Sequence, residues 1–195
     1  MTPNPAPHAP QAGRARLLAE LERYVPGDDR ERAMAREIRA FVERYPAAFD
    51  RALAIGHVTG SAWVVDRAGA FALLTHHRKL GKWLQLGGHA DGDCDVRRVA
   101  LREAREESGL CAIVAATPGI YDVDVHAIPA RGEESAHLHY DVRFAFFANP
   151  HEAPRASAES HAVAWVPLAE IERYAIDDSV RRLVSKTPAL VHGPR

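Results

Sequence analysis

The stretch Gly87-Gly88-His89-Ala90-Asp91-Gly92-Asp93-Cys94, followed by Arg102-Glu103-Ala104-Arg105-Glu106-Glu107-Ser108-Gly109-Leu110, carries the chemistry of this chain. The second half reads as the end of a helix over Asp95 to Ser108, with Gly109 placed as its C-cap. Glu103, Glu106 and Glu107 stand at i, i+3 and i+4, so they share one helix face within a single turn. Like charges at that spacing repel, and something has to compensate. A divalent cation does so, because hard cations take carboxylate oxygens. Arg102 and Arg105 could instead neutralise a solvated face by salt bridges. The glycine pair ahead of the helix lets backbone approach a ligand without a Cβ in the way, and a bare carbonyl there adds an oxygen ligand. Such a donor set suits Mg²⁺ or Mn²⁺, which keep several waters and bind substrate phosphates directly.

Outward from that segment, strands and helices alternate. Ala62 to Val65 and Ala70 to Leu74 read as a hairpin around the turn Asp66 to Gly69, and Leu84 to Leu86 as a short extended piece. Beyond Gly109, strands are expected near Cys111 to Ala116 and over Tyr121 to Ile128. A longer strand over His137 to Ala148 alternates Leu138, Tyr140, Val142, Phe144 and Phe146 with His139, Asp141, Arg143 and Ala145. A strand over Ala162 to Val166 then precedes two short helices, Leu168 to Tyr174 and Ser179 to Lys186. Upstream, Arg14 to Val25 and a helix capped by Asp28 or Asp29 and running to Tyr45 form an N-terminal helical extension over 14–50. Met34, Ile38, Phe41 and Val42 give the second helix its apolar stripe, and the pair serves as a packing or dimerisation element. Residues 1–13, with Pro3, Pro5, Pro7 and Pro10, read as a flexible Pro-rich tail, and the main domain spans 51–195. Strands joined by hairpins and mixed with helices indicate an α+β fold or a layered αβα arrangement rather than an all-parallel sheet.

Composition narrows the classes. A chain of 195 residues with 47% hydrophobic and 26% charged residues has the make-up of a soluble globular protein. Lys and Arg number 25 against 26 Asp and Glu, a formal charge of -1, so no global pull toward nucleic acid is expected. No apolar run is long enough for a membrane span, and the start lacks the apolar stretch of a secretory signal. Two cysteines, Cys94 and Cys111, make no disulfide framework and no CxxC motif, so a cytoplasmic location is expected.

The segment from Gly88 to Leu110 resembles the signature of the Nudix hydrolases, G-x5-E-x7-R-E-U-x-E-E-x-G-U with U aliphatic. Gly88, Arg102, Glu103, Glu106, Glu107, Gly109 and Leu110 fill their places at the required spacing, and Ala104 stands at a U position. The Glu expected six residues after Gly88 is Cys94, a position whose acid is a supporting residue in the family; Asp93 and Asp95 flank it as candidate substitutes. The resemblance extends over about His57 to Lys186. It implies the Nudix fold, an αβα sandwich with a mixed β-sheet. It also implies hydrolysis of a nucleoside diphosphate linked to another group, with in-line attack of water on phosphorus. Glu103, Glu106, Glu107 and the Gly88 carbonyl would hold Mg²⁺ or Mn²⁺, and Arg102 would orient a box carboxylate. The family often adds a late acid as general base or extra ligand. Glu159, in the loop before Trp165, is the candidate here, with Glu133 and Glu134 next. The expected partner is a small phosphate-anhydride substrate, without membrane or nucleic acid, and a homodimer is an option for which the N-terminal helices could supply an interface.

Other residues carry two readings each. His89, directly after Gly88, is a candidate for substrate binding. His137, His139 and Asp141 share one strand face, which either lines the substrate cleft, with His139 on the substrate, or is the wet side of an edge strand. His76, His77, Arg78, Lys79 and Lys82 either hold phosphates, with Arg78 foremost, or are solvated loop residues. His57 has no assigned role, and the histidines lack a compact ligand motif with cysteines, so no dedicated zinc site is expected. Trp63, Tyr121 and Tyr140 are open to stacking on a base or to core packing. Two alternatives to hydrolysis are a nucleotide-sensing module that does not cleave, favoured by Cys94, and an isopentenyl-diphosphate isomerase, disfavoured by Gly87 where that enzyme carries a Cys. Nucleoside triphosphates, nucleotide sugars, dinucleotides and non-nucleotide diphosphates all remain open as substrates.

Overall fold

The computed structural model describes residues 10–78, 80–132, 135–156 and 160–192. Helices α1 (Pro10–Arg23) and α2 (Asp29–Arg44) are followed by strands β1 (Gly56–Val65), β2 (Phe71–His77), β3 (Lys82–Leu84) and β4 (Leu86–His89). Helix α3 (Val96–Ser108) leads to β5 (Val114–Ala115), β6 (Asp122–Ile128), β7 (His137–Phe147) and β8 (Ser160–Pro167). A 3₁₀ turn over Leu168–Arg173 and helix α4 (Asp178–His192) complete the order. The strands form one mixed sheet with a backbone order β3-β2-β1-β7-β5; β4 joins β1, β6 joins β7 and β8 joins β2. The β1–β7 pair is parallel over ten residue pairs, from Gly56 opposite Leu138 to Val65 opposite Phe147. The other pairings are antiparallel.

Local chemistry explains most boundaries. Asp28 caps α2, its side chain accepting from the Glu31 N–H at 2.7 Å, and Asp95 caps α3 through the Arg98 N–H at 3.2 Å. Gly109 closes α3 with φ +70°, a left-handed conformation costly for other residues. Helix α1 begins at Pro10 rather than Arg14, since proline needs no N–H at a first helical position, and it stops at Arg23, short of Val25. Strand β1 begins at Gly56, well before the expected Ala62. Its early half, Gly56-His57-Val58-Thr59-Gly60-Ser61, is fully buried between β4 and β7, and its polar residues hide the strand from an alternation test. Strand β5 shrinks to two residues. Helix α4 continues past Lys186 and through Pro188, where Thr187 Oγ1 bonds the Leu183 carbonyl at 3.0 Å.

The two sheet faces pack differently. Val58, Ala62 and Val64 of β1, with Tyr140, Val142, Phe144 and Phe146 of β7, join the core under α1, α2 and α3. Phe41 of α2 stacks on Tyr140 with ring centroids 3.8 Å apart, so the N-terminal helices belong to the same core as the sheet. On the other face, Trp63, Val65, Ala72 and Leu74 form a second core with Ile171, Val180 and Leu183. The same face of β1 and β7 turns polar toward its other end, through Ser61, Thr59 and His57 and through Arg143, Asp141, His139 and His137. β7 lies between β1 and β6, so that face is an interior surface and not the wet side of an edge strand.

Candidate active site

The polar end of the sheet, the Gly87-Gly88 strand and α3 enclose a cleft of about 450 Å³. Glu103, Glu107, Gly88, His89, Asp91, His139 and Asp141 are among the residues on its wall. The volume lies within the range of small-molecule sites. Two larger hollows, of about 570 and 690 Å³, are lined by no box residue.

Helix α3 brings the carboxylates to the wall because β4 carries no side chain where they arrive. A Cβ on Gly88 would collide with the Glu103 carboxylate, and one on Gly87 with Ser61 Oγ. The helix itself sits close to β1: a Cβ on Gly60 would lie 2.8 Å from the Val96 carbonyl oxygen. The Gly87 N–H donates to Glu107 Oε2 at 3.0 Å. Arg102 Nη2 donates to Glu103 Oε1 at 2.7 Å and to the His89 carbonyl at 3.0 Å, tying the helix to the loop after β4. Burial pushes the Glu103 carboxyl above its ordinary range, with Glu106 and Asp91 adding to the shift, and Arg102 opposes it.

The expected site residues divide. Gly88, Glu103, Glu107, His89 and His139 meet in one cleft. Arg102 stands behind Glu103 as its partner, and Glu106 is exposed on the next exposed position of α3 rather than on the wall. Arg78 is exposed and also lies off the wall. Glu159, Glu133, Glu134 and Lys79 lie outside the described residues. Cys94 turns toward α1: a Cβ on Gly13 would be 2.6 Å from the Cys94 Cβ. Neither flanking acid replaces the missing box Glu at the cleft. Asp93 is held in a bidentate pair with Arg98 at 2.7 and 2.8 Å, and Asp95 caps α3 and pairs with Arg16 at 3.2 Å. The aromatic candidates all serve the core. Trp63 is fully buried, its Nε1 on Thr187 Oγ1 at 3.0 Å, Tyr140 stacks on Phe41, and the Tyr121 hydroxyl donates to the Leu183 carbonyl at 3.1 Å.

Asp141 lies on the wall with His139, on the strand face offered above for the cleft, whereas Asp91, His126 and Gln85 were not legible as site residues. Asp141 accepts from Thr59 Oγ1 at 2.9 Å, Ser61 Oγ at 2.8 Å and Arg143 Nε at 2.7 Å. Gln85 Oε1 is buried and has no hydrogen-bond partner among the described residues, which leaves an acceptor open beside the cleft. The signal that could have located Asp91 is its place two residues after His89 in the same turn.

Behind the cleft lies a buried charge network. Arg143, 1% exposed, bonds Asp141 and Asp122, and Arg182 bonds Asp122 at 2.8 Å and Asp124 at 3.0 Å. Lys186 Nζ bridges Asp122 at 3.0 Å and Glu31 at 2.9 Å, and the Tyr24 hydroxyl donates to Glu31 at 2.7 Å. The network joins α2, β6, β7 and α4, and burial makes each of its ions dependent on its partners.

The sequence profile of the NUDIX domain matches residues 57–186, two thirds of the chain, and this chain belongs to that family. RenU, a Nudix hydrolase from M. smegmatis, shares the fold with a TM-score of 0.51 and 19% identity over 69% of this chain and 88% of RenU. A NUDIX-family hydrolase from Clostridium perfringens aligns with a TM-score of 0.48 and 22% identity over 69% of this chain and 95% of its own. The NUDIX domain of Shewanella oneidensis NrtR, solved with ADP ribose, aligns with a TM-score of 0.47 and 21% identity over 76% of this chain and 95% of its own. No curated protein matches the chain by sequence.

Proposed function

We propose that the chain is a divalent-metal-dependent pyrophosphohydrolase that cleaves the anhydride of a nucleoside diphosphate linked to another group. The observation that carries this reading is the convergence of Glu103, Glu107, Gly88 and Asp91 on one wall of a single cleft. That wall is an oxygen donor set, the kind that Mg²⁺ and Mn²⁺ take, and the residues present fit such an ion. Glu103 and Glu107, with the Gly88 carbonyl and the neighbouring Glu106 of the same helical turn, would hold it; the bound ion would neutralise phosphate oxygens and lower the pKa of a bound water.

The chain's own residues do the rest. Arg102 fixes the Glu103 carboxylate through its 2.7 Å bond and keeps it aimed past Gly88. The Gly87 N–H fixes Glu107 in the same way. His89 and His139, on the wall, supply N–H donors for phosphate oxygens, and Gln85 Oε1 accepts from a substrate N–H or O–H. Glu159 is proposed as the base that takes a proton from the attacking water, in line with the leaving phosphoryl group. Arg78 is proposed as an outer phosphate contact. The partner is a small phosphate-anhydride substrate, the balanced net charge argues against nucleic acid, and a homodimer in the cytoplasm is the assembly to test by light scattering. Among the described residues no helix is long and apolar enough to cross a membrane.

The sensing-module alternative leaned on Cys94, which faces α1 and not the cleft. The test is a phosphate-release screen with Mg²⁺ or Mn²⁺ over nucleoside triphosphates, nucleotide sugars, ADP-ribose, dinucleotides and isopentenyl diphosphate, with Glu107→Gln and Glu106→Gln as controls. Metal-dependent cleavage of one group, lost in Glu107→Gln, supports the reading. Silence across the panel with nucleotide binding retained in a thermal-shift assay overturns it in favour of a sensing module.

A further inference from the structure

Besides the carboxylates, the polar end of the sheet carries more imidazoles than the two, His89 and His139, that phosphate binding would use. His57 of β1 and His139 of β7 are directly opposite in the parallel register, and His137 lies two residues before His139 on the same face. His126 of β6 stands opposite His139 on the other side, and the His89 ring is 5.0 Å from that of His57 and 5.2 Å from that of His139. One nitrogen from each of His57, His137 and His139 lies within 4.8 Å of the others, and His57 and His137 are buried.

The geometry points to a second metal centre, separate from the box carboxylates, in which His57, His137 and His139 bind one transition-metal ion of the Zn²⁺ class. Two nitrogen ligands of a tetrahedral Zn²⁺, each at about 2.0–2.1 Å, are themselves about 3.3 Å apart. The Nε2 atoms of His137 and His139 are 3.3 Å apart. The second ring nitrogen of His137 is already committed: Nδ1 is 2.9 Å from the Ser135 carbonyl oxygen. A carbonyl only accepts, so Nδ1 holds the proton and Nε2 presents its lone pair toward His139. A backbone carbonyl on the far nitrogen is the usual support of a metal-bound histidine, because it sets the tautomer and the ring angle. Three imidazoles select Zn²⁺, Co²⁺, Ni²⁺ or Cu²⁺ over Mg²⁺, which prefers oxygen. His139 and His126 reach the cleft wall, so the ion's fourth position is open to water or to a substrate oxygen. The two metal sites thus differ in ligand chemistry, nitrogen for one and oxygen for the other, and the histidine site stands whether or not the box hydrolyses anything.

The test uses the full chain, stripped of metal by chelation and dialysed against Co²⁺ in a large excess of Mg²⁺. The expected result is one cobalt ion retained per chain, with the visible absorption of a four-coordinate nitrogen site, displaced by Zn²⁺. Retention should persist in a Glu103→Gln, Glu107→Gln double variant and vanish in His137→Gln and in His139→Gln. Each variant's metal-free melting temperature reports whether it is folded. The wild-type arm needs no variant: if the wild-type chain retains no cobalt under Mg²⁺, the three rings are only a hydrogen-bonded cluster and the proposal falls. It falls equally if folded His137→Gln and His139→Gln keep the ion with the same spectrum.

Discussion

Gly88 leaves empty the volume that the Glu103 carboxylate fills; a single methyl group on that residue would overlap the carboxylate. The contact explains why the box begins with glycine on structural grounds. Gly88→Ala is therefore expected to displace Glu103 from the wall while leaving the cores intact. Misplacement of that size costs about 100-fold in turnover. Steady-state rates beside an unchanged circular-dichroism spectrum check it; unaltered turnover would remove Glu103 from the site.

A Cβ on Gly13 would collide with Cys94, so α1 passes close over the place where the family signature carries a Glu. The family pattern suggests that Cys94→Glu would restore a supporting acid. The structure predicts the opposite: the longer charged side chain has to push α1 away, at a cost of about 1–3 kcal/mol, with no gain in rate. A denaturant titration and a rate measurement on the same variant decide between the two.

Phe41 lies flat on Tyr140, and both residues are buried. Phe41→Ala should cost about 3–5 kcal/mol, as loss of a buried aromatic does. A chain truncated before β1 is expected to expose Tyr140 and the sheet core and to aggregate. A truncated chain that remains monomeric with unchanged melting would show that α1 and α2 are a separable extension.

Asp122 is fully buried against three cations. Burial alone would raise its carboxyl, but Arg182, Arg143 and Lys186 outweigh burial and hold it below the ordinary Asp range. The unfolded chain takes up that proton near pH 4, and the folded chain only at lower pH. The contribution to stability is complete above the unfolded value and is lost as pH falls through the folded one. Wild-type melting temperature should drop steeply below about pH 4, the range in which free Asp protonates. Asp122→Asn should lose about 3–5 kcal/mol at neutral pH by stranding buried cations, and its remaining stability should depend less on acid. Melts of both proteins across that range test it.

Much of the fold was legible along the chain. The cap at Asp28, one of the two offered, the start of α3 at Asp95, its end at Gly109 and the alternation of β7 are local signals, set by hydrogen bonds and side-chain spacing within a few residues. The neighbouring placement of Glu103 and Glu107 was legible for the same reason, since acids within one helical turn are neighbours in any fold, whereas Glu106 falls on an exposed position off the wall. The early half of β1 was not, because Thr59, Ser61 and His57 interrupt the apolar pattern of a buried strand.

What the sequence by itself determined is the chemistry of α3 and the identity of the elements around it. Only the tertiary structure decided which polar residues face one another. The parallel β1–β7 pairing sets His57 beside His139 across 82 positions of chain, and the same register brings Thr59 and Ser61 onto Asp141. Packing of α1 turned Cys94 away from the cleft, and packing of α2 and α4 turned Asp122 into a buried hub. The physical reason is one of range. Caps and helical faces are fixed by neighbours in sequence, whereas strand register and layer packing are fixed by the whole apolar core, and no short stretch of residues encodes them alone.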